Sequence, residues 1–125
     1  MPRSFIGPAL LLLFASCSKP DDPVSYGRYL IENRDSTALH VAATGHHGPL
    51  TLLADSLPVA STTLILEVTQ ASGGQILPSE FLHTLVITRT DSLGNTTQVY
   101  SGVHDADWQS TATSENHDDL RLVVQ

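Results

Sequence analysis

From Val24 to Gln125 apolar residues recur at every second position in short runs, and no stretch sustains the 3.6-residue period of a helix. Each such run offers one face to a core and one to water, which is the requirement of a half-buried antiparallel sheet. The last run is the cleanest, with Leu120, Leu122 and Val124 on one face against Arg121, Val123 and Gln125 on the other. Earlier runs predict strands over Tyr26 to Asn33, around Leu39, Val41 and Ala43, over Leu50 to Ala54, and over Thr62 to Gln70 with Leu64, Leu66 and Val68 facing one way. Leu82 to Thr90 and Thr96 to Ser101 follow, then a weaker strand from Asp107 to Thr113. Turns fall at Asn33 to Ser36, Gly45 to Pro49 and Asp55-Ser56, and the longest loop at Ala71 to Ser79. Between Thr90 and Thr96, Asp91-Ser92-Leu93-Gly94-Asn95 reads as a five-residue hairpin loop, because Gly94 and Asn95 tolerate the positive φ that such a loop needs.

Seven or eight short strands without crossover helices predict an all-β fold, an antiparallel β-sandwich of immunoglobulin-like architecture rather than a barrel or an α/β fold. Only the architecture is implied, since the paired cysteines and strand-C tryptophan of true immunoglobulin domains are missing. There are no internal repeats.

A chain of 125 residues has room for one such domain. Its formal charge of −7, its single lysine (Lys19) and its scattered arginines argue against nucleic acid as a partner. One cysteine, Cys17, cannot form an internal disulfide framework, and its position just behind an apolar segment suggests another use. Arg3, the apolar run from Phe5 to Phe14 and the small Ala15 and Ser16 read as a leader peptide. The run is about half of the roughly 20 apolar residues that a spanning helix needs, and Gly7 and Pro8 interrupt it. The expected organisation is a leader over 1–16, a modified cysteine and extended polar tether over 17–24, and a sandwich over 25–125.

Leu10 to Cys17, LLLLFASC, resembles the lipobox of bacterial lipoproteins, in which the cysteine is acylated and becomes the first mature residue. Phe14 stands where a branched apolar residue is usual, and an ordinary leader with an incidental cysteine is the alternative. Lys19, Asp21 and Asp22, with Pro20 between, resemble the export tag by which one group of Gram-negative bacteria sends lipoproteins to the outer face of the outer membrane. The resemblance implies a palmitate-type lipid anchor at Cys17, a membrane partner and exposure at the cell surface, with the periplasmic face as alternative. Tyr29-Leu30-Ile31-Glu32-Asn33, Gly73-Gly74, Pro78-Ser79-Glu80-Phe81, Tyr100, Asp107-Trp108 and the final apolar strand together look like a family of small Gram-negative lipoproteins with a lipobox and a β-sandwich. That family brings a fold and an address, and no activity to carry over.

Chemistry-bearing residues are sparse. His46-His47 in a glycine-flanked loop, joined by His104, Asp105, Asp107, His117, Asp118 or Asp119, is the one grouping that suggests a metal, but loops collect such residues without any ligand spacing, and solvated loop is the preferred reading. No serine occupies a G-x-S-x-G elbow, and adjacent carboxylates such as Asp118-Asp119 read as solubilising charge. The sequence implies neither an enzyme nor a cofactor.

Aromatic residues point instead to binding. Trp108 and Tyr100, with Tyr26 and Tyr29, form a candidate platform for a sugar ring or peptide, but a domain with one tryptophan and three phenylalanines needs its aromatics inside, and Trp108 filling the core is the preferred reading. Asp35-Ser36-Thr37, Asp55-Ser56-Leu57 and Asp91-Ser92-Leu93 resemble the acceptor that the same bacterial group uses for O-glycosylation, which marks Ser36, Ser56 and Ser92, all in predicted turns. Asn95-Thr96-Thr97 fits an N-glycosylation acceptor and is discounted in a bacterium. The leading expectation is an accessory module on the envelope that binds a glycan or protein ligand. The alternative is an assembly subunit that pairs through an exposed edge strand, with Leu120 to Val124 as the candidate edge. A metal-dependent enzyme ranks last.

Overall fold

The computed structural model describes residues 24–71 and 74–125; the segment read as a leader, Cys17, the segment read as a tether up to Pro23, and Gly73 lie outside the described residues. Among the described residues two sheets pack face to face as a β-sandwich. One sheet has the order β5-β1-β9-β8 and contains β1 (Ser25–Asn33), β5 (Ser61–Gln70), β8 (Trp108–Ser114) and β9 (His117–Val124). The other runs β3-β2-β6-β7, from β3 (Gly48–Pro49), β2 (Leu39–Gly45), β6 (Thr84–Thr90) and β7 (Thr96–Ser101), with the two-residue β4 (Ser56–Leu57) also on β2. One short helix, α1 (Pro78–Phe81), begins at a proline whose missing N–H costs nothing there, and Glu80 reaches back to accept from the Leu77 N–H. No helix among the described residues is long and apolar enough to cross a membrane.

The core takes the inward positions that a two-residue period dictates. Tyr29 and Ile31 of β1, Leu39 and Val41 of β2, Leu85 and Ile87 of β6, and Leu120, Leu122 and Val124 of β9 are all buried. The Asp91 hairpin forms as expected. The Asp91 N–H donates to the Asn95 carbonyl, its carboxylate accepts from the N–H groups of Leu93 and Asn95, and Gly94 supplies the positive φ at +86°. Asn95 is not called on for it; the positive-φ asparagine is Asn116, in the β8–β9 turn.

Four expectations about the strands are corrected. The apolar face of β5 is not Leu64, Leu66 and Val68 in a row. A bulge against Tyr29 and Leu30 leaves Ile65 without a partner on β1 and turns it fully into the core, so Leu64 stands opposite the outward Leu30 while Leu66 and Val68 pack inward. Leu50 to Ala54 is not a strand, because it crosses between the sheets. It gives the Leu53 N–H to the carbonyl of Ile65, and the next residue, Asp55, accepts from the Val41 N–H. The expected turn at Ser56 is instead β4, paired antiparallel with Leu39 and His40 of β2.

The largest correction concerns the last strand. β9 is interior, bonded to β8 antiparallel and to β1 parallel from Tyr26–His117 to Asn33–Val124, and so offers no free edge to a partner. The edges of that sheet are β5 and β8.

Gly27 marks where β1 passes beneath Ile76. An added Cβ would stand 3.0 Å from the Ile76 Cδ1 and 3.2 Å from the Val68 Cγ2, and Ile76 is itself fully buried. Gly27→Val is therefore expected to destabilise the fold by about 1–3 kcal/mol through overpacking, read as a lowered midpoint in urea. An unchanged midpoint would mean that Ile76 has room to move aside.

Candidate functional site

The outer face of the β5-β1-β9-β8 sheet carries a row of polar and aromatic side chains. On β1 the outward positions are Tyr26, Arg28, Leu30 and Glu32, set by the same alternation that buries Tyr29 and Ile31. Parallel pairing puts His117 beside Tyr26, Asp119 beside Arg28 and Arg121 beside Leu30, while antiparallel pairing puts Thr69 and Glu67 of β5 on the other flank. Tyr26 and His117 stack with ring centroids 4.6 Å apart and planes at 17°. Tyr26 is 42% exposed. Next to it the Arg28 guanidinium grips Asp119 with two bonds of 2.9 Å, from Nε and Nη2. The hydrogen bonds from Arg28 hold the Asp119 carboxyl below its ordinary range, and Asp119 raises Arg28 in turn. Further along, Arg121 contacts Glu32 at 3.4 Å and donates to Gln109 at 3.0 Å. A groove of about 300 Å³ lies along Tyr26, Gly27, Arg28, Glu67, Val68, Thr69 and His117.

Trp108 takes the core position preferred for it, and the candidate platform of Trp108 and Tyr100 is not formed. Trp108 is 7% exposed and sits in the core, with its ring edge-on to Tyr29 at 5.6 Å. A sandwich with few large side chains uses its one indole to fill space. Tyr100 is half-buried against the same core and donates its hydroxyl to Asp107 at 2.8 Å; burial, then that bond, raises its pKa. Tyr29 is fully buried, and its hydroxyl donates to the Leu77 carbonyl. Of the aromatic residues singled out in the sequence, Tyr26 is the one that presents a ring to solvent.

The histidines and acids do not converge. His46 contacts the Ser79 carbonyl at 2.8 Å and lies 5.4 Å from the His83 ring, while the Asp105 carboxylate accepts from the N–H and hydroxyl of Ser79. Ser79 thus stands between His46 and Asp105, Asp107 is engaged by Tyr100, and His117 belongs to the Tyr26 stack. No group of three or more His, Cys, Asp or Glu among the described residues is disposed to hold a metal ion, so the grouping weighed around His46-His47 is not assembled. His46, His47, Glu80 and Phe81 do line a shallow cleft of about 390 Å³ at this end.

Ser36, Ser56 and Ser92 are all exposed. Ser36 and Ser92 lie in turns, and Ser56 lies on β4. Cys17 falls outside the described residues.

Neither Arg28 nor Glu67 is singled out in the sequence, and His117 and Asp119 figure there only as candidate additions to the His46-His47 loop. The alternation of Tyr26, Arg28 and Leu30 places them on one face of β1, but the strands that flank β1 come from positions far along the chain. No family model matches the chain, and no curated protein or solved structure matches it.

Proposed function

We propose that the chain is a lipid-anchored component of a Gram-negative envelope, an accessory binding module held at the outer-membrane surface through Cys17, with no chemistry of its own. It would belong with the small lipoproteins that its leader and residue order resemble. The observation that carries the binding reading is the outward Tyr26–His117 stack beside the Arg28–Asp119 pair, an amphipathic aromatic surface over a groove on an otherwise polar face. The address rests on Leu10 to Cys17 and on Lys19 to Asp22. One acyl chain holds a protein marginally, whereas the two or three of a bacterial lipoprotein give stable anchoring. Ser36, Ser56 and Ser92 are accessible for O-glycosylation under this reading.

Proteinase treatment of intact cells, followed by detection of the chain in the membrane fraction, tests both claims. The body is expected to be digested from outside, and Cys17→Ala is expected to shift the chain from the membrane to the soluble fraction. Survival of the body until the outer membrane is opened would move it to the periplasmic face. Membrane retention of Cys17→Ala would remove the lipid anchor altogether.

A second reading, assembly through a sheet edge, transfers from β9 to β8. That edge, Trp108–Ser114, carries no charged residue and no proline, the usual guards against edge-to-edge pairing.

A further inference from the structure

We propose that the groove at Tyr26, on the outer face of β1, β5 and β9, is a binding site for neutral carbohydrate, with a sugar ring lying against the tyrosine. This rests on the binding-module reading and gives it a ligand class.

The first ground is the aromatic ledge. Sugar rings present C–H faces that pack on an aromatic plane, and their hydroxyls need donors and acceptors around the rim. His117 covers part of the Tyr26 ring and fixes its plane, so little side-chain freedom is lost when a ligand arrives. The exposed remainder of the ring lines the groove together with Thr69, whose β5 strand pairs with β1 at that point.

Charge is the second ground. All four arginines among the described residues are already paired with carboxylates: Arg28 with Asp119, Arg34 with Glu32, Arg89 with Asp35 and Arg121 with Glu32. An anionic ligand at this face would have to displace Asp119 from a two-bond grip, and Glu67 and the net charge of −7 would oppose its approach. A neutral polyol faces no such cost. Arg28 keeps unused N–H groups and Asp119 unused lone pairs, and a hydroxyl serves either.

Backbone usage separates sugar from peptide. Extended peptides are commonly captured by adding a strand to a free edge. At Tyr26 both β1 and β9 are interior, with their backbone groups committed to neighbours on each side, and the free backbone edge is that of β5, on the side of β5 away from β1, so recognition at the Tyr26 ring falls to side chains. A groove of about 300 Å³ is also at the small end for a ligand site, which suits one or two sugar rings.

The full purified chain would be applied to an immobilised array of neutral, sialylated and sulfated oligosaccharides and, separately, to a peptide library. Expected is saturable binding to neutral oligosaccharides that Tyr26→Ala weakens roughly tenfold or more, while Tyr26→Phe keeps most of it. Thermal unfolding of both variants at the wild-type temperature certifies that the fold is intact, as the exposed position of Tyr26 leads one to expect. Binding confined to acidic glycans, or indifferent to Tyr26→Ala, overturns the proposal. Peptide capture that depends on Tyr26, without any glycan, overturns the sugar class and leaves the binding module standing. Failure of both arrays overturns both.

Discussion

Asn33→Asp is expected to cost about 3–5 kcal/mol of folding stability at neutral pH, although it changes one NH2 group to oxygen. Asn33 closes β1 and is 1% exposed. Its amide nitrogen donates to three carbonyls, Leu57 at 2.9 Å, Thr37 at 3.0 Å and Pro58 at 3.2 Å, while its oxygen accepts from the Asp35 N–H at 2.8 Å. One side chain thus ties the exit of β1 to β4 in the opposite sheet. An aspartate there would aim a buried negative charge at three carbonyl oxygens, and ionisation of a buried carboxylate is disfavoured. Its pKa in the folded state would be raised. The variant is therefore least handicapped below about pH 4, where the carboxyl of the unfolded chain is also protonated, and loses ground to the wild type as pH rises. Asn33→Ala removes the donor without adding charge and is expected to cost less, about 1–3 kcal/mol. Urea unfolding at pH 4 and pH 7 measures all three chains. Stability of Asn33→Asp within roughly 0.5 kcal/mol of wild type at pH 7 would show that these carbonyls find other donors.

Local pattern carried the long strands and the Asp91 hairpin, because both depend on neighbours in sequence: a two-residue period, and a glycine placed for positive φ. It could not carry strand order. The parallel pairing of β1 with β9 joins residues about ninety positions apart, and nothing in the alternation of Leu120 to Val124 distinguishes an interior strand from an edge strand. The β5 bulge escaped for a related reason, since Leu64, Ile65 and Leu66 are all apolar and any one of them could have faced inward. The aromatic platform is a different case. Tyr26 and Tyr29 are three apart on one strand, so they must face opposite ways, and burial of Tyr29 with Ile31 already exposes Tyr26. What completes the candidate site is the pairing of His117 and Asp119 with Tyr26 and Arg28, and that is a property of the fold.

Tyr29 is the other position where a large loss is expected. Its ring is wholly buried, meets Trp108 edge-on at 5.6 Å and Phe81 at 6.4 Å, and holds the Leu77 carbonyl at the start of α1 through a 3.1 Å bond. Tyr29→Ala should cost about 3–5 kcal/mol, the range for removing a buried ring and leaving a cavity. Against a domain stability of roughly 5–15 kcal/mol, that is a large fraction of the total. Tyr29→Phe keeps the packing and deletes only the hydroxyl, so its loss should be about 0.5–1.5 kcal/mol. Trp108 is the sole tryptophan, and its emission reports the same contact directly. In urea the red shift of that emission should begin at lower concentration in Tyr29→Ala than in Tyr29→Phe, and in Tyr29→Phe earlier than in the wild type. Equal losses for the two variants would place the stabilisation in the hydroxyl and its bond to Leu77 rather than in the ring. A negligible loss for Tyr29→Ala would mean that Trp108 and Phe81 close over the gap, and that the sandwich does not depend on the ring that fills its centre.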